Sequence, residues 1–522
     1  MYNQPLHMTA TPLGIVILAA GRGTRMRSDR AKVLHAIAGK PFIVSVLETA
    51  ASLGPDRIAV VVGHEAAEVE RVCAAHLIRS PITGEVSYPR QAEQRGTGDA
   101  VRAAEGAFAR FDGDILILYG DVPGLRTATL EDLVAEHRRS AATLSLLTTE
   151  VAEPRGYGRI VRTPDGRLRG IVEERDLAPE DHTIREVNPG IYCVRARFLW
   201  PALARLRADN AQGEYYLTDI VAMAVEAGEP VETRSVADAG EVAGINSRAD
   251  MALLDERARR ALVEKWMRAG VTFRDPATAY LEERVTIGSD TEIGPNVQLL
   301  GDTVVGRSCI IDGTALLRDA VLGDGVHLRL GVVMSECEVG AGVVIGPFAH
   351  IRPGTTLADD VHIGNFVETK KATIGRGTKA NHLTYLGDCE IGTGTNIGAG
   401  TITCNYDGFA KHRTVIGDRV QIGSDTQLVA PVTVGDDAYV GAGTTVTVDV
   451  PAGGHLVLSR VPQRTIAGWV AHKRARAESK PAPAISAPAP CEGVDAKKRA
   501  SKRKVVTARR AAHAQGARRG KH

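Results

Sequence analysis

With 522 residues the chain is too long for a single hydrophobic core, and two or three domains are expected. Hydrophobic residues make up 44%, yet no apolar run nears the ~20 residues that cross a bilayer, and the run at 13–20 is too short and too abruptly ended by glycine to be a signal-peptide core. Seven scattered cysteines (Cys73, Cys193, Cys309, Cys337, Cys389, Cys404, Cys491) exclude a disulfide framework or close-paired metal spacing and point to a reduced, cytoplasmic setting without membrane attachment.

Residues 1–246 read as one domain, α/β from about residue 13 onward, because aliphatic strands alternate with helical stretches. Strands are expected at 14–19, 57–62, 114–118 and 143–148, and helices at 43–53 and 98–110. Residues 247–269 predict one helix, with Ser247 as N-cap, Asp250 completing a capping box, and Met251, Leu254, Ala258, Leu262 and Trp266 on one stripe. Such a stripe predicts packing against a domain.

From about 285 to 446 an aliphatic residue, usually followed by glycine, returns every sixth position or a multiple near it. Ile287-Gly288, Ile293-Gly294, Ile345-Gly346, Ile363-Gly364, Ile422-Gly423 and Val440-Gly441 carry the beat. A fixed short period identifies a stacked architecture. Six residues suit a triangular β-helix: each short strand is one face, the aliphatics stack inside, and corner glycines tolerate positive φ. Aromatics at 4% fit so narrow a prism. A β-sandwich would show strands at eight- to twelve-residue spacing instead. The beat lapses around 376–390 and 403–414, where Asn, Tyr, His and Lys concentrate, and loops interrupting a scaffold there would house a site. The prism is expected within 270–470.

Residues 471–522 hold fifteen Lys/Arg against three Asp/Glu, so the body carries about −10 although the whole chain is +2. This Ala-, Pro- and Lys/Arg-rich tail lacks the apolar area to fold and is expected to be disordered. Nucleic acid is a possible partner only through it.

The first chemical signature is Leu18-Ala19-Ala20-Gly21-Arg22-Gly23-Thr24-Arg25-Met26, directly after a strand. Glycines let backbone N–H groups approach a phosphate, and a following helix would add its positive end. The third glycine of a Rossmann turn is missing, Met26 standing there, and no Gly-Lys-Ser/Thr makes it a P-loop. Arg25 and Lys32 raise its specificity, because paired cations clamp a transferring phosphoryl group. Asp121 ends the apolar strand at 114–118, where ligands of open α/β sheets bind. One hard carboxylate with phosphates and waters is the usual Mg²⁺ arrangement.

This loop followed by Lys32 resembles the signature of sugar-phosphate nucleotidylyltransferases, whose nucleotide domain is doubly wound. Gln91-Ala92-Glu93-Gln94-Arg95-Gly96-Thr97-Gly98, Tyr119-Gly120-Asp121-Val122-Pro123, Gly156-Tyr157-Gly158-Arg159, Ile171-Val172-Glu173 and Asn188 extend the likeness. With Asn381-His382-Leu383-Thr384-Tyr385-Leu386-Gly387-Asp388 and Cys404-Asn405-Tyr406-Asp407-Gly408, residues 13–469 resemble the bacterial bifunctional N-acetylglucosamine-1-phosphate uridylyltransferases/glucosamine-1-phosphate N-acetyltransferases.

The resemblance implies a left-handed parallel β-helix of hexapeptide repeats behind the doubly wound domain. It implies that acetyl-CoA acetylates glucosamine 1-phosphate, after which UTP and N-acetylglucosamine 1-phosphate give UDP-N-acetylglucosamine and pyrophosphate for peptidoglycan and lipopolysaccharide precursors. It assigns Leu18, Ala19, Ala20, Gly21, Arg25, Lys32, Gln91, Gly96, Thr97, Tyr119 and Gly120 to the nucleotide. Gly158, Glu173 and Asn188 would grip the sugar, and Asp121 and Asn246 would hold Mg²⁺. Behind, His382 would be the general base, for which an imidazole is suited near neutral pH. Arg352, Lys370, Tyr385, Asn396 and Lys411 would bind glucosamine phosphate, and Ala399, Asn405, Tyr406, Ser424, Ala442 and Arg460 would line the coenzyme A groove. A homotrimer is implied as well.

Two positions depart from the family pattern. Ala31 replaces a proline before Lys32, which implies a less preorganised lysine, and Pro189 replaces a threonine beside the sugar. Both predict altered sugar-phosphate affinity with activity retained. Two rival readings are a single-function nucleotidylyltransferase whose β-helix only oligomerises, and a non-catalytic trimeric scaffold presenting basic tails.

Overall fold

The computed structural model describes residues 11–459 and 462–479. Arg460 and residues 480–522, most of the basic tail, lie outside them. The described residues up to Ser459 belong to one compact unit, and 462–479 to a second.

Strand Leu13–Ala19 is buried along its whole length, so alternate residues feed two cores. Ile15, Ile17 and Ala19 join Leu34, Ile43 and Leu47 on one face, while Val16 and Leu18 join Ala59, Val61 and Ile117 on the other. Burial on both faces is why this strand reads as a continuous apolar run. Arg57–Val62 and Asp114–Tyr119 flank it in parallel. Beyond them the ten-stranded sheet turns antiparallel through Tyr192–Arg195 and Leu144–Glu150 and ends in the ladder Glu186–Asn188, Gly158–Arg162, Leu168–Val172. Leu18 lies opposite Tyr119 at the carboxyl ends of two central parallel strands, which opens the crevice.

The second sheet runs from Thr272–Phe273 to Leu456–Val457 with parallel pairing throughout. Ile293 pairs with Ile311, Ile311 with Leu328, and the ladder continues through Ile345, Ile363, Ala380, Ile397, Ile422 and Val440. All are buried in one core, and each Ile, Leu or Val among them contributes about 1.5–3 kcal/mol of burial. Threonines fasten successive coils: Thr378 Oγ1 donates to Gly392 O (2.6 Å) and accepts from Thr395 N–H (3.0 Å), and Thr395 repeats this with Gly417 (2.8 Å) and Val420 (3.0 Å).

One expectation about the prism is extended and one is corrected. Corner glycines do adopt positive φ, among them Gly325, Gly342, Gly377, Gly394 and Gly443, and short polar residues such as Asp290, Asn296, Asp360, Asp425 and Asp437 share that left-handed region with them. Most rung glycines serve close approach instead: a Cβ on Gly364 would stand 1.8 Å from the Asn381 carbonyl oxygen of the next coil. Contrary to expectation, 376–390 is not a loop. It holds the thirteen-residue strand Lys379–Ile391, paired with His362–Ile374 from His362↔Lys379 to Ile374↔Ile391. The beat faded because Asn381, His382 and Tyr385 face outward, while Ala380, Thr384 and Leu386 remain buried. The lapse at 403–414 is a true excursion between Ile402–Cys404 and Thr414–Ile416, pinched by a Tyr406–Lys411 bridge.

The helix Arg248–Arg268 begins with the expected capping box: Ser247 accepts from Asp250 N–H (3.1 Å), and Asp250 accepts from Ser247 N–H (2.8 Å). Its stripe serves both domains. Met251, Leu254, Ala258 and Leu262 pack on Met26, Ile37, Phe42 and Ile245, while Leu262 and Trp266 pack on the prism core. The tail expected to be disordered from 471 starts with a helix instead, Trp469–Glu478. Alanine, lysine and arginine favour helix there, and the first proline comes only at Pro481.

Candidate active sites

The front cavity, about 350 Å³, opens at the carboxyl ends of the central strands. Twelve expected residues line it: Leu18, Ala19, Ala20, Gly21, Arg25, Lys32, Gln91, Gly96, Thr97, Tyr119, Asp121 and Asn246. Gly120 lies behind the lining, where its N–H donates to Leu18 O (2.9 Å). No long helix follows the glycine-rich loop, contrary to expectation: Thr24–Met26 and Lys32–Leu34 are single 3₁₀ turns. Helix Phe42–Ala51 begins well beyond it. Positive charge is supplied by side chains. Lys32 Nζ pairs with the Asp121 carboxylate and donates to Asn246 Oδ1 (3.2 Å), which also accepts from Arg25 (2.9 Å). Gly23, at φ +61°, makes room for this: a Cβ there would meet Lys32 Cβ at 2.6 Å. Gln91 is fixed by donating to Gly96 O and to Asp99 (both 3.1 Å).

The residues expected to grip the sugar lie outside that lining. A Cβ on Gly158 would point at the Glu173 carboxyl (3.6 Å), and Glu173 accepts from Thr218 Oγ1 (3.1 Å). Burial pushes the Glu173 carboxyl above its ordinary range, with Asp219, Asp176 and Glu214 adding to the rise. Asn188 donates to Tyr192 OH (2.6 Å) and accepts from Gly190 N–H (3.0 Å), closing the turn that contains Pro189. Tyr119 joins the two regions: it hydrogen-bonds Thr97, faces Glu173, and burial raises its hydroxyl pKa strongly.

On the prism, Asn365 pairs with His382 in register, and Asn365 Oδ1 lies 3.0 Å from His382 Nδ1. Accepting the Nδ1 proton there leaves Nε2 with its lone pair. Two residues past the rungs Ala380, Ile397, Ile422 and Val440 stand His382, Ala399, Ser424 and Ala442, on one corner of successive coils. The expected base therefore heads the column expected to hold coenzyme A. Arg352, Lys370 and Lys411 come together, and their mutual repulsion lowers the Lys370 pKa, Lys411 contributing most. The Tyr385 ring crosses Gly387, and Asn396 lies one coil below Lys379. Asn405 donates to Asp388 (2.5 Å), and Tyr406 opens the excursion. In that loop Asp407 accepts from Ala410 N–H, Phe409 N–H and His412, which hold its carboxyl at about 2.

Residues 15–223 match the model of the MobA-like NTP transferase domain, and 336–371 and 413–447 match bacterial transferase hexapeptide repeats. The bifunctional protein GlmU of Pelobacter propionicus is 48% identical over 454 residues, covering 87% of this chain and 97% of that one. GlmU of Geotalea uraniireducens is 47% identical (88% and 99%), and GlmU of Mycolicibacterium gilvum 48% identical (88% and 92%). The chain belongs to the GlmU family. It is a bifunctional transferase, with a uridylyltransferase half and a glucosamine-1-phosphate acetyltransferase half.

Sequence reasoning missed several lining residues. Gln94, whose side chain donates to Ala20 O (2.7 Å), and Glu214 both line the front cavity. Gln94 lay inside a quoted motif; Glu214 comes from a distant loop and gave no local signal. Tyr157, half-buried and facing Asp121 and Arg25, was quoted without a role. Asn365 went unnoticed because its relation to His382 exists only across the coil.

Proposed function

We propose that the front cavity binds UTP and N-acetylglucosamine 1-phosphate, and that Arg25 and Lys32 neutralise the phosphates while a sugar-phosphate oxygen attacks the α-phosphorus. The bond to pyrophosphate breaks as the new P–O bond forms. The observation that carries this is the Lys32 ammonium bridging Asp121 and Asn246: two hard oxygens converge on a cation at the mouth of the glycine-rich loop. That donor set fits Mg²⁺, which Asp121 and Asn246 would hold and which, when bound, draws charge from the phosphate oxygens. Gly158, Glu173 and Asn188 form the sugar side, reached past Tyr119.

In the prism, His382 Nε2 takes the proton of the glucosamine amine as that nitrogen attacks the acetyl-CoA thioester, and coenzyme A leaves as the thiol. Arg352, Lys370 and Lys411 hold the sugar phosphate, with Tyr385 and Asn396 beside them. An oligomerisation-only prism has no use for three clustered cations, nor for an outward histidine held by Asn365. Asn405, Tyr406 and the Ala399–Ser424–Ala442 column line the coenzyme groove. A homotrimer is supported by exposed Leu330, Phe348, Phe366 and Leu383, where Phe348 and Phe366 stack at 5.9 Å. A reduced, cytoplasmic setting is supported by free cysteines at all six described positions, and no described helix is long and apolar enough to cross a membrane.

The test is paired. Asp121→Ala should abolish pyrophosphate release with magnesium and spare acetyl transfer, and His382→Ala should do the reverse. Loss of both activities, or of neither, in a folded variant refutes the assignment.

A further inference from the structure

Lys32 can bridge Asp121 and Asn246 only if the chain before it is held. Ala31 is fully buried, with φ −54° and ψ 136°, inside the range that proline would impose. The resemblance led to an expectation of a looser loop at this position, yet the backbone here already has the constrained geometry. Its N–H, which a proline would lack, donates to the Glu65 carboxylate. Glu65 lies at the end of the turn after Arg57–Val62 and sits at φ +52°, an uncommon conformation for a side chain of that size. The same turn makes two more contacts with the loop: His64 Nε2 lies 3.3 Å from Asp29 O, and His64 N–H donates to Ala20 O (3.3 Å). Residues 63–65 thus brace the phosphate loop at both ends.

We infer that Glu65 is a positioning residue for uridylyl transfer: its carboxylate fixes the Ala31 N–H and so aims Lys32, replacing the ring constraint that Ala31 lacks. The carboxylate is exposed and does not line the cavity, so it acts through Ala31 and not on substrate. The inference rests on the cradle reading above, which Asp121→Ala tests independently.

The experiment measures both half-reactions in the full chain. Glu65→Ala should lower kcat for pyrophosphate release by about tenfold, because small misplacements of a positioned group are costly, while acetyl transfer stays unchanged. Glu65→Gln retains an acceptor oxygen and should stay within about twofold of wild type. In an Ala31→Pro background, where no N–H exists to hold, Glu65→Ala should cost nothing further. A wild-type kcat in Glu65→Ala, a Glu65→Gln as slow as Glu65→Ala, or an equal further loss in the proline background overturns the inference. None of these outcomes bears on whether Asp121 is required.

Discussion

Substituting Gly364 by alanine should separate the two activities from a position that touches no substrate. The added Cβ would stand 1.8 Å from Asn381 O and 2.3 Å from its carbonyl carbon, against ordinary contact that begins at 3.4 Å. The clash is with backbone, so no side chain can swing away. About 1.6 Å must open between the strands His362–Ile374 and Lys379–Ile391, immediately beside the Asn365–His382 pair. An opening half that size takes the 3.0 Å Asn365–His382 hydrogen bond past its limit and turns the imidazole. Overpacking of this kind costs about 1–3 kcal/mol of stability. Misplacing the base by about 1 Å should slow acetyl transfer by about 100-fold. The assay follows thiol release from acetyl-CoA and pyrophosphate release from UTP on one preparation, with a melting curve to show a folded prism. Pyrophosphate release serves as the internal standard and should be unchanged. Acetyl transfer within about threefold of wild type would refute the link between coil spacing and the base.

Three further outcomes are expected. Gly23→Ala, which forces a side chain into φ +61° and against Lys32 Cβ, should lower uridylyl transfer by about tenfold and leave acetyl transfer alone. Asp250→Ala removes the carboxylate that accepts from Asn246 N–H (3.0 Å), so half-maximal pyrophosphate release should need more Mg²⁺; an unchanged titration would detach Asn246 from the metal. Burial raises the Glu173 pKa, so the folded state holds that proton more tightly than the unfolded chain. Its contribution is therefore fully present below about pH 4 and is lost as pH rises through the folded value. Glu173→Gln should melt above wild type near neutrality, with the gap closing as pH falls. A pH-independent gap would contradict the burial argument.

Much of this protein was legible in its residues, and what was not has physical causes. The run at 13–20 and the repeat read correctly because both report continuous burial, the strongest pattern a sequence holds. Ser247 and Asp250 read correctly because a capping box is local. The strand Lys379–Ile391 was mistaken for loops because its outer face exchanges aliphatic for polar residues around His382, the proposed base. Glycine was rightly given left-handed corners such as Gly325 and Gly342, but aspartate shares them, and the crowding that keeps Gly364 a glycine leaves no trace in one coil's sequence. The 3₁₀ turns after the phosphate loop were hidden for a similar reason: Lys32 reaches Asn246 across 214 positions, a relation that spacing alone does not reveal.

The shared helix Arg248–Arg268 acts as a keyed shaft. Because its forward teeth mesh with Phe42 and its rear teeth with the prism, its length also fixes an angle. Inserting one residue at its middle would advance the rear half by about 1.5 Å and rotate it by about 100°, unmeshing one end or the other. Insertions of seven residues restore the phase to within about 20°. Natural length variation in this shaft should therefore come in whole turns.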